Sequence, residues 1–347
     1  MDRTRTACDP LNMKTLLALL TVSLATAHAE LRIGIIGSDT SHVPAFTQIL
    51  NDPTHPKHIP GARVVALHDA FSADIASSAS RHEGYTRDLQ EKWGVRLEPS
   101  PDALAASVDA VLIESLDGRP HLEQARAVFA RRKPVFVDKP VAGSLRDAIA
   151  LYKLAADSKT PVFSSSSYRF YPSLREVKAA NVGAVHSVLS FGPAHLEPTH
   201  PDLFWYAVHP VEALYTLLGT GCVSVSRSKT PDSDSVTGIW QDGRMGVFHG
   251  LRNGATPHRT LVFGSKSVAE QKPGGDDYAP LVAEIVRFFQ TGTPPVSPEE
   301  TLEMFTFMEA ADESVRRGGG PVKLEEVFRK ASAEAAELSA PKHARQP

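Results

Sequence analysis

Short apolar runs alternate with segments of helical spacing through the first half of the chain. An apolar run over 31–36 ends at Gly37, and a segment with helical spacing follows over 43–50. The same alternation predicts further strands at 63–67, 95–97, 108–114, 134–137 and 161–164, and helices at 87–93, 120–131 and 145–157. Strands that are apolar throughout and alternate with helices are typical of a parallel sheet covered on both faces. We therefore predict an α/β domain with a Rossmann-type, doubly wound parallel sheet over residues 30–163.

The pattern changes after about residue 165, where strands follow one another with few helices between them. Asp242-Gly243 separates two of these strands, and this dipeptide is a strong signal for a two-residue hairpin. The predicted strands are 185–196, 223–228, 235–241, 244–251 and 259–263, and the predicted helices are 203–218, 280–290 and 298–316. This pattern indicates a C-terminal α+β domain with a mainly antiparallel open sheet over 164–337, for substrate binding and oligomerisation. The polar tail, 338–347, is expected to be frayed.

Composition and the N-terminus limit the partners and the compartment. The chain of 347 residues has a formal net charge of −3 and no run rich in Lys or Arg, so a nucleic-acid partner is not expected. Lys14, an apolar stretch over 15–25 and the small residues of Ala27-His28-Ala29 form the pattern of a secretory signal peptide, too short to span a membrane. We therefore predict a signal peptide over 1–29, a periplasmic or secreted protein, and no membrane association after cleavage. The alternative is an extension without a targeting role.

The turn after the first strand is an unusual version of a phosphate-binding loop. It reads Gly37-Ser38-Asp39-Thr40-Ser41-His42, where a dinucleotide fold has G-x-G-x-x-G. Gly37 supplies the tight turn, but Asp39 and His42 stand where backbone approaches the pyrophosphate and where helix packs on strand. The hydroxyls of Thr40 and Ser41 at a helix start favour an anion. We expect this loop to contact NAD or NADP, with helix capping by Asp39 or a different ligand as the alternatives.

Other candidate residues follow the predicted strands, where ligands bind in open α/β sheets. Asp69 follows the second strand and is placed to accept hydrogen bonds from an adenosine ribose, although an acid there is commonly a turn residue. The stretch Glu114-Ser115-Leu116-Asp117-Gly118-Arg119-Pro120-His121 follows the fourth strand, and Val135-Phe136-Val137-Asp138-Lys139-Pro140 puts a lysine at the end of the fifth. With Tyr168-Arg169-Phe170 and Leu217-Leu218-Gly219, these stretches resemble the Gfo/Idh/MocA oxidoreductase family, whose corresponding strand ends in Glu-Lys-Pro or a close variant. The resemblance runs from about 31 to 317.

The resemblance implies an NAD(P)-dependent oxidoreductase that acts on a sugar, a polyol or a related carbohydrate, and a homo-oligomer. Lys139 matches the family lysine that assists proton transfer at the substrate hydroxyl, and His209 matches a histidine that acts near the reacting carbon. The family motif Asp-x-x-x-His is incomplete, because Trp205 stands where the Asp is expected. A structural lysine and a core histidine are the alternatives. The resemblance further implies cofactor contacts for Ser115, Asp117, His121 and Asp138 and a substrate contact for Arg169.

The stretch before His209 is rich in groups that bind ligands. On the predicted strand, His195 and Glu197 face the same way, and with His200 or His209 they could hold a divalent metal. The spacing fits no established zinc signature, so no metal site is predicted. We expect Glu197, His200 and Trp205 to face a carbohydrate, with structural capping as the alternative.

Two alternatives to nicotinamide-dependent chemistry remain. A carbohydrate-active lyase, hydrolase or epimerase is favoured by Asp39, by Trp205 and by export, since an exported enzyme meets little free NAD. A non-catalytic carbohydrate-binding protein is the other. Likeness of fold does not choose among them, because one scaffold supports many functions.

Overall fold

The computed structural model describes residues 30–274 and 277–339, and the predicted signal peptide lies outside these residues. The first sheet is parallel and six-stranded, with the order β3-β2-β1-β4-β5-β6. Its strands are Leu31–Ile36 (β1), Ala62–His68 (β2), Arg96–Leu97 (β3), Ala110–Ile113 (β4), Val135–Val137 (β5) and Val162–Ser164 (β6). The predicted Rossmann-type, doubly wound parallel sheet is confirmed.

Helices connect these strands and cover both faces of the sheet. They are His42–Asn51 (α1), Ala76–Ala79 (α2), His82–Trp93 (α3), Pro101–Ser107 (α4), His121–Ala130 (α5) and Leu145–Ser158 (α6). Two of them begin with a serine cap, because Ser100 Oγ accepts a hydrogen bond from Ala103 N and Ser144 Oγ accepts one from Asp147 N. Every residue of β4 and of β5 is buried, as expected for strands covered on both faces.

The second sheet has seven strands in the order β12-β11-β7-β10-β9-β8-β13. Its strands are Val185–Pro193 (β7), Cys222–Lys229 (β8), Ser233–Trp240 (β9), Met245–Leu251 (β10), Arg259–Gly264 (β11), Val268–Glu270 (β12) and Val322–Lys323 (β13). All pairs are antiparallel except β7 with β10, and the predicted hairpin joins β9 to β10. The helices of this part are Pro172–Ala179 (α7), Val208–Leu218 (α8), Ala279–Thr291 (α9), Pro298–Arg316 (α10) and Leu324–Ser339 (α11). The mainly antiparallel second sheet is therefore confirmed.

The helix α9 packs against the parallel sheet, although it comes late in the chain. Its Leu281, Ile285 and Phe288 share one apolar cluster with residues of β1, β2 and α1. The rings of Phe163 in β6 and Phe288 lie 4.9 Å apart, edge to face. The core of the first domain is thus completed by a segment from the second half of the sequence.

Of the boundaries that differ from the sequence-based expectations, three affect the candidate site or the tail. β7 ends at Pro193, so His195 and Glu197 lie on a loop and not on a strand. α8 begins at Val208, because residues 202–207 form turns. α11 reaches Ser339, so the first two residues of the expected frayed tail are helical, and the rest of that tail lies outside the described residues. No helix within 30–274 and 277–339 is both long enough and apolar enough to cross a membrane.

Candidate active site at the carboxyl edge of the parallel sheet

The loops that follow β1 and β4 pack against each other at the point where the strand order reverses. β1 lies between β2 and β4, so the crevice outside their carboxyl ends is the usual ligand position in such a sheet. Gly37 has φ +95°, and a Cβ there would lie 2.4 Å from Ser115 N. Glycine is therefore required at this turn, both for its backbone conformation and for the close approach of the two loops.

Asp39 is fully buried between these loops. Its carboxylate accepts hydrogen bonds from Leu116 N at 2.9 Å and from Ser78 Oγ at 2.5 Å. Burial raises the pKa of Asp39 above its ordinary value, although these hydrogen bonds counteract the effect. The alternative that Asp39 caps α1 is wrong, because the residue before α1 is Ser41 and the carboxylate of Asp39 bridges α2 and the loop after β4.

The first turn of α1 has few free backbone donors. His42 N donates to Thr40 Oγ1 at 3.1 Å, and Val43 N is 3.3 Å from the carbonyl oxygen of Thr40. Pro44 has no N–H. Ser41 is exposed and makes no side-chain cap. In an ordinary dinucleotide site the N–H groups at this helix end meet the pyrophosphate, so the loop departs from that arrangement.

A cavity of about 420 Å³ opens between the loops after β2 and β4. Its lining residues are Ala70, Phe71, Ser72, Ser115, Asp117, Arg119, Pro120 and Gln124. Beside it, Asp69 accepts a hydrogen bond from Ser38 Oγ and lies 3.2 Å from His82 Nδ1. The exposed ring of Phe71 stacks on that of His82 at 3.6 Å. The cavity is within the size range of small-molecule sites and offers one aromatic face and a carboxylate at its rim.

Asp117 connects three segments at the inner wall of this cavity. It accepts hydrogen bonds from Ser72 Oγ at 2.6 Å and from Arg119, and it lies 3.1 Å from His200 Nε2. Burial acts to raise the pKa of Asp117, but these partners outweigh it and lower that pKa below its usual range. Arg119 also pairs with Asp74, which fastens the β2 loop to the β4 loop. The carboxylate expected to bind cofactor is therefore already engaged by protein groups.

His121 lies inside the protein. Its Nε2 is 2.9 Å from the carbonyl oxygen of Ser115, and its Nδ1 is 3.3 Å from that of Val141. Burial lowers the pKa of His121. Ser115 Oγ in turn accepts a hydrogen bond from Gln124 Nε2 at 2.8 Å. We therefore reassign His121 from cofactor binding to positioning the loops after β4 and β5.

Lys139 follows β5 at the same edge, half-buried and joined to Pro140 by a cis peptide bond. Its backbone N donates to Asp138 Oδ1 at 2.7 Å. Asp138 Oδ2 lies 2.7 Å from His42 Nδ1, and Glu114 Oε2 lies 3.8 Å from the same nitrogen. Burial and the charge of Asp138 raise the pKa of Glu114 well above its usual range. Burial acts to raise the pKa of Asp138 also, but His42 and Lys139 outweigh it and lower that pKa.

His209, at the start of α8, lies near Lys139 from the second domain. Its Nδ1 is 2.6 Å from Ser166 Oγ, a residue just after β6. Burial and the positive charge of Lys139 lower the pKa of His209 well below its usual range. The ring is therefore neutral at neutral pH, with Nδ1 held by Ser166.

Arg169 does not face a substrate. Its side chain is 9% exposed, Nε donates to Glu212 Oε1 at 2.6 Å, and a terminal nitrogen donates to Glu300 Oε1 at 2.5 Å. Glu212 also accepts a hydrogen bond from Ser166 N at 2.6 Å. The assignment of Arg169 to substrate binding is thus corrected to a buried ion pair that supports the segment carrying Ser166.

The groups between 195 and 209 are dispersed. His200 is buried against Asp117, and its ring lies 4.9 Å from that of Trp205. Glu197 accepts long local hydrogen bonds from Thr199, at 3.3 Å from Oγ1 and 3.5 Å from the backbone N. Within residues 30–274 and 277–339, these side chains do not form a group of three that could share a metal ion.

Sequence reasoning missed two residues of this edge. No role was predicted for Glu114, although an acid directly after four buried strand residues was a usable signal. Ser166 had no local signal, because its partner His209 is 43 positions away.

The fold is that of an α/β protein with two sheets, and a ligand crevice lies at the carboxyl edge of the parallel one. Residues 31–166 match the GFO_IDH_MocA family model, described as an oxidoreductase family with an NAD-binding Rossmann fold. The N-terminal part of the chain therefore resembles this family, as its motifs indicated.

Individual relatives are consistent with this match. An inositol 2-dehydrogenase of Saccharopolyspora erythraea is 28% identical over 207 residues, which cover 56% of this chain and 55% of the relative. A D-xylose 1-dehydrogenase (NADP(+)) of Haloferax volcanii is 28% identical over 179 residues, 49% of this chain and 54% of the relative. The chain thus spans about half the length of the curated relatives it matches. The crystal structure of scyllo-inositol dehydrogenase from Lactobacillus casei with bound NAD(H) and scyllo-inositol has a TM-score of 0.69 at 16% identity, covering 85% of this chain and 99% of that one. This last likeness shows the fold.

Proposed function

We propose that the protein is an oxidoreductase that uses a nicotinamide cofactor and acts on a sugar or polyol. The observation that carries the proposal is that Lys139, at the carboxyl end of β5, and His209, bound to Ser166 just after the neighbouring strand β6, lie at the same edge of the parallel sheet. The family match over residues 31–166 and the activities named for the inositol and xylose dehydrogenases support it.

The residues at the crevice fit the two ends of such a cofactor. The cavity beside Asp69 has the size and the aromatic rim suited to an adenosine group, and Lys139 lies at the other end of the crevice. When bound, the cofactor would supply the hydride acceptor or donor at its nicotinamide ring. Asp69 favours NAD over NADP, because its carboxylate suits ribose hydroxyls and repels a 2′-phosphate.

The side chains of this protein then have to transfer a proton to or from the substrate oxygen. The ammonium group of Lys139 can donate a hydrogen bond to the substrate oxygen that gains or loses the proton. His209, held at Nδ1 by Ser166, has Nε2 left for that same oxygen or its neighbour. Trp205, half-buried on the turn before α8, offers an aromatic surface to a sugar ring.

A non-redox carbohydrate-active enzyme is the second candidate. The first turn of α1 favours it, because Thr40 occupies two N–H groups and Pro44 lacks one. This loop is therefore poorly supplied with donors for a pyrophosphate.

Calorimetric titration of the purified protein with NAD and NADP, followed by turnover assays on polyols and sugars, tests the proposal. Lys139→Ala should lower turnover about 10²- to 10⁴-fold with an unchanged melting curve, because the lost group assists proton transfer. Lys133→Ala, before the amino end of the same strand, is the matched control. Wild-type turnover in Lys139→Ala would remove the lysine from the mechanism, and binding of neither nucleotide would favour the non-redox enzyme.

Export and self-association form part of the proposal. Cleavage after Ala29 would give a mature protein that begins at Glu30, which an intact-mass measurement from an export-competent host tests. The second sheet has half-exposed apolar side chains on its open face, such as Val247 of β10 beside Leu189 of β7. We expect this face to be covered in a homo-oligomer, so Val247→Lys should shift light-scattering mass towards the monomer.

A further inference from the structure

Three side chains from three elements meet inside the carboxyl edge of the parallel sheet. His42 is the first residue of α1, Glu114 follows β4 directly, and Asp138 follows β5 directly. One ligand atom of each lies within 4.8 Å of the other two. Both acids are fully buried, and His42 is 6% exposed. No second group of this kind occurs in the part of the chain that the structure describes.

Four polar atoms of this group have no hydrogen-bond partner. They are both carboxylate oxygens of Glu114, Oδ2 of Asp138 and Nδ1 of His42. The 2.7 Å between His42 Nδ1 and Asp138 Oδ2 is short enough for a hydrogen bond, but the two groups are not aligned to form one. Buried polar atoms are nearly always paired, so several unpaired atoms at one point indicate a missing common partner.

We propose that His42, Glu114 and Asp138 bind one divalent transition-metal ion, for which Zn²⁺ is the best fit. Imidazole nitrogen and carboxylate oxygen are ordinary zinc ligands, and three protein ligands leave a fourth position for water or substrate. Ligand atoms of a tetrahedral zinc lie about 3.4 Å apart when the bonds are about 2.1 Å. The two separations from His42 Nδ1, 2.7 and 3.8 Å, bracket this value, and all three ligand atoms lie within 4.8 Å of one another.

The chemistry of the pocket argues against a larger or harder ion. Ca²⁺ takes six to eight oxygen ligands and Mg²⁺ keeps several waters, whereas this site is buried and offers one nitrogen and two carboxylates. A divalent ion would also balance the two buried carboxylates. It would tie the start of α1 to the ends of β4 and β5, directly before Lys139.

This site does not depend on the proposed redox activity, so its test uses metal content and not turnover. Untagged mature protein is stripped with a chelator, titrated with Zn²⁺ by calorimetry, and reloaded for elemental analysis. We expect one zinc per chain, a higher melting temperature with zinc, and loss of both effects in Glu114→Gln. Asp39→Asn, another buried acid of the same edge, is the matched control and should keep the zinc.

Two results would overturn the proposal: no zinc binding by the stripped wild type, or one tightly held zinc in both Glu114→Gln and Asp138→Asn. If either variant fails to fold, Co²⁺ titration of the wild type decides. An absorption spectrum of four-coordinate cobalt supports the site, and absence of cobalt binding counts against it.

Discussion

Replacing Asp39 tests whether this buried acid is a bridge to α2 and the loop after β4 or a charge directed at a ligand. Its carboxylate accepts hydrogen bonds from Leu116 N and Ser78 Oγ. Asp39→Ala leaves both donors without an acceptor, and each costs about 1–3 kcal/mol when unpaired inside a protein. We therefore expect the free energy of unfolding to fall by about 2–6 kcal/mol.

Asp39→Asn should behave differently, because an amide reproduces the shape of the neutral acid. The amide oxygen can accept from Leu116 N, and the NH₂ group can donate to Ser78 Oγ. We expect a loss below about 1 kcal/mol at neutral pH. The pKa of Asp39 is raised above 3.8 in the folded state, whereas in the unfolded state it is about 3.8. The wild-type protein therefore loses stability as the pH rises from the unfolded-state pKa to the folded-state pKa of Asp39. Asp39→Asn has no ionisable group at this position and does not show that loss.

Urea unfolding of the wild type, Asp39→Ala and Asp39→Asn, followed by fluorescence, measures these differences in stability. Titration of the same samples with NAD tests whether the charge of Asp39 acts on the cofactor. The carboxylate is engaged by Ser78 and Leu116, so we expect Asp39→Asn to change NAD affinity by less than about tenfold. Equal stability of wild type and Asp39→Ala would refute the bridge. A gain in NAD affinity well above tenfold in Asp39→Asn would show that the charge acts on the cofactor.

Two further predictions concern the loop and the buried thiol. Gly37→Ala should lower the free energy of unfolding in urea by more than Gly94→Ala does. Both glycines have a positive φ, but only at Gly37 would an added Cβ meet backbone, 2.4 Å from Ser115 N. Equal losses of stability in the two variants would contradict this close packing. Burial raises the pKa of the Cys222 thiol to about 12, so Ellman's reagent should not react with it in the native protein at mildly alkaline pH. In denaturant the reagent should count one thiol per chain if residues 1–29, which include Cys8, have been removed, and two if they remain. Fast labelling of the native protein would contradict the burial of Cys222.

The strands of the first sheet were predictable because they are buried on both faces and therefore appear as unbroken apolar runs. The position of Lys139 followed from the same pattern, since a residue directly after a parallel strand must lie at the ligand edge. The start of α8 was not predictable, because Asp202 is held in the preceding turns by Arg227 and Lys229 of a strand that follows later. His195 and Glu197 were misplaced because local polarity does not report where a strand leaves its sheet.

The interior pairings of the site were the least accessible from sequence. Asp39 and Arg169 are charged residues near strand ends, as ligand contacts often are. Only their partners Ser78 and Glu212, which are distant in sequence, show that they have structural roles. A polar residue near a strand end is therefore a good indicator of the edge and a poor indicator of which direction the side chain takes.

The packing of α9 on the first domain has a consequence for how the chain folds. The parallel sheet is assembled from residues made early, but one of its apolar surfaces is covered only when Phe288 and its neighbours have been synthesised. Until then the nascent sheet exposes Phe163 and the apolar residues around it. Closing such long-range contacts slows folding and leaves surface open to aggregation in the interval. A fragment that stops near residue 166, where the family match ends, is therefore expected to be poorly soluble, and the intact chain is the smallest sensible unit for expression.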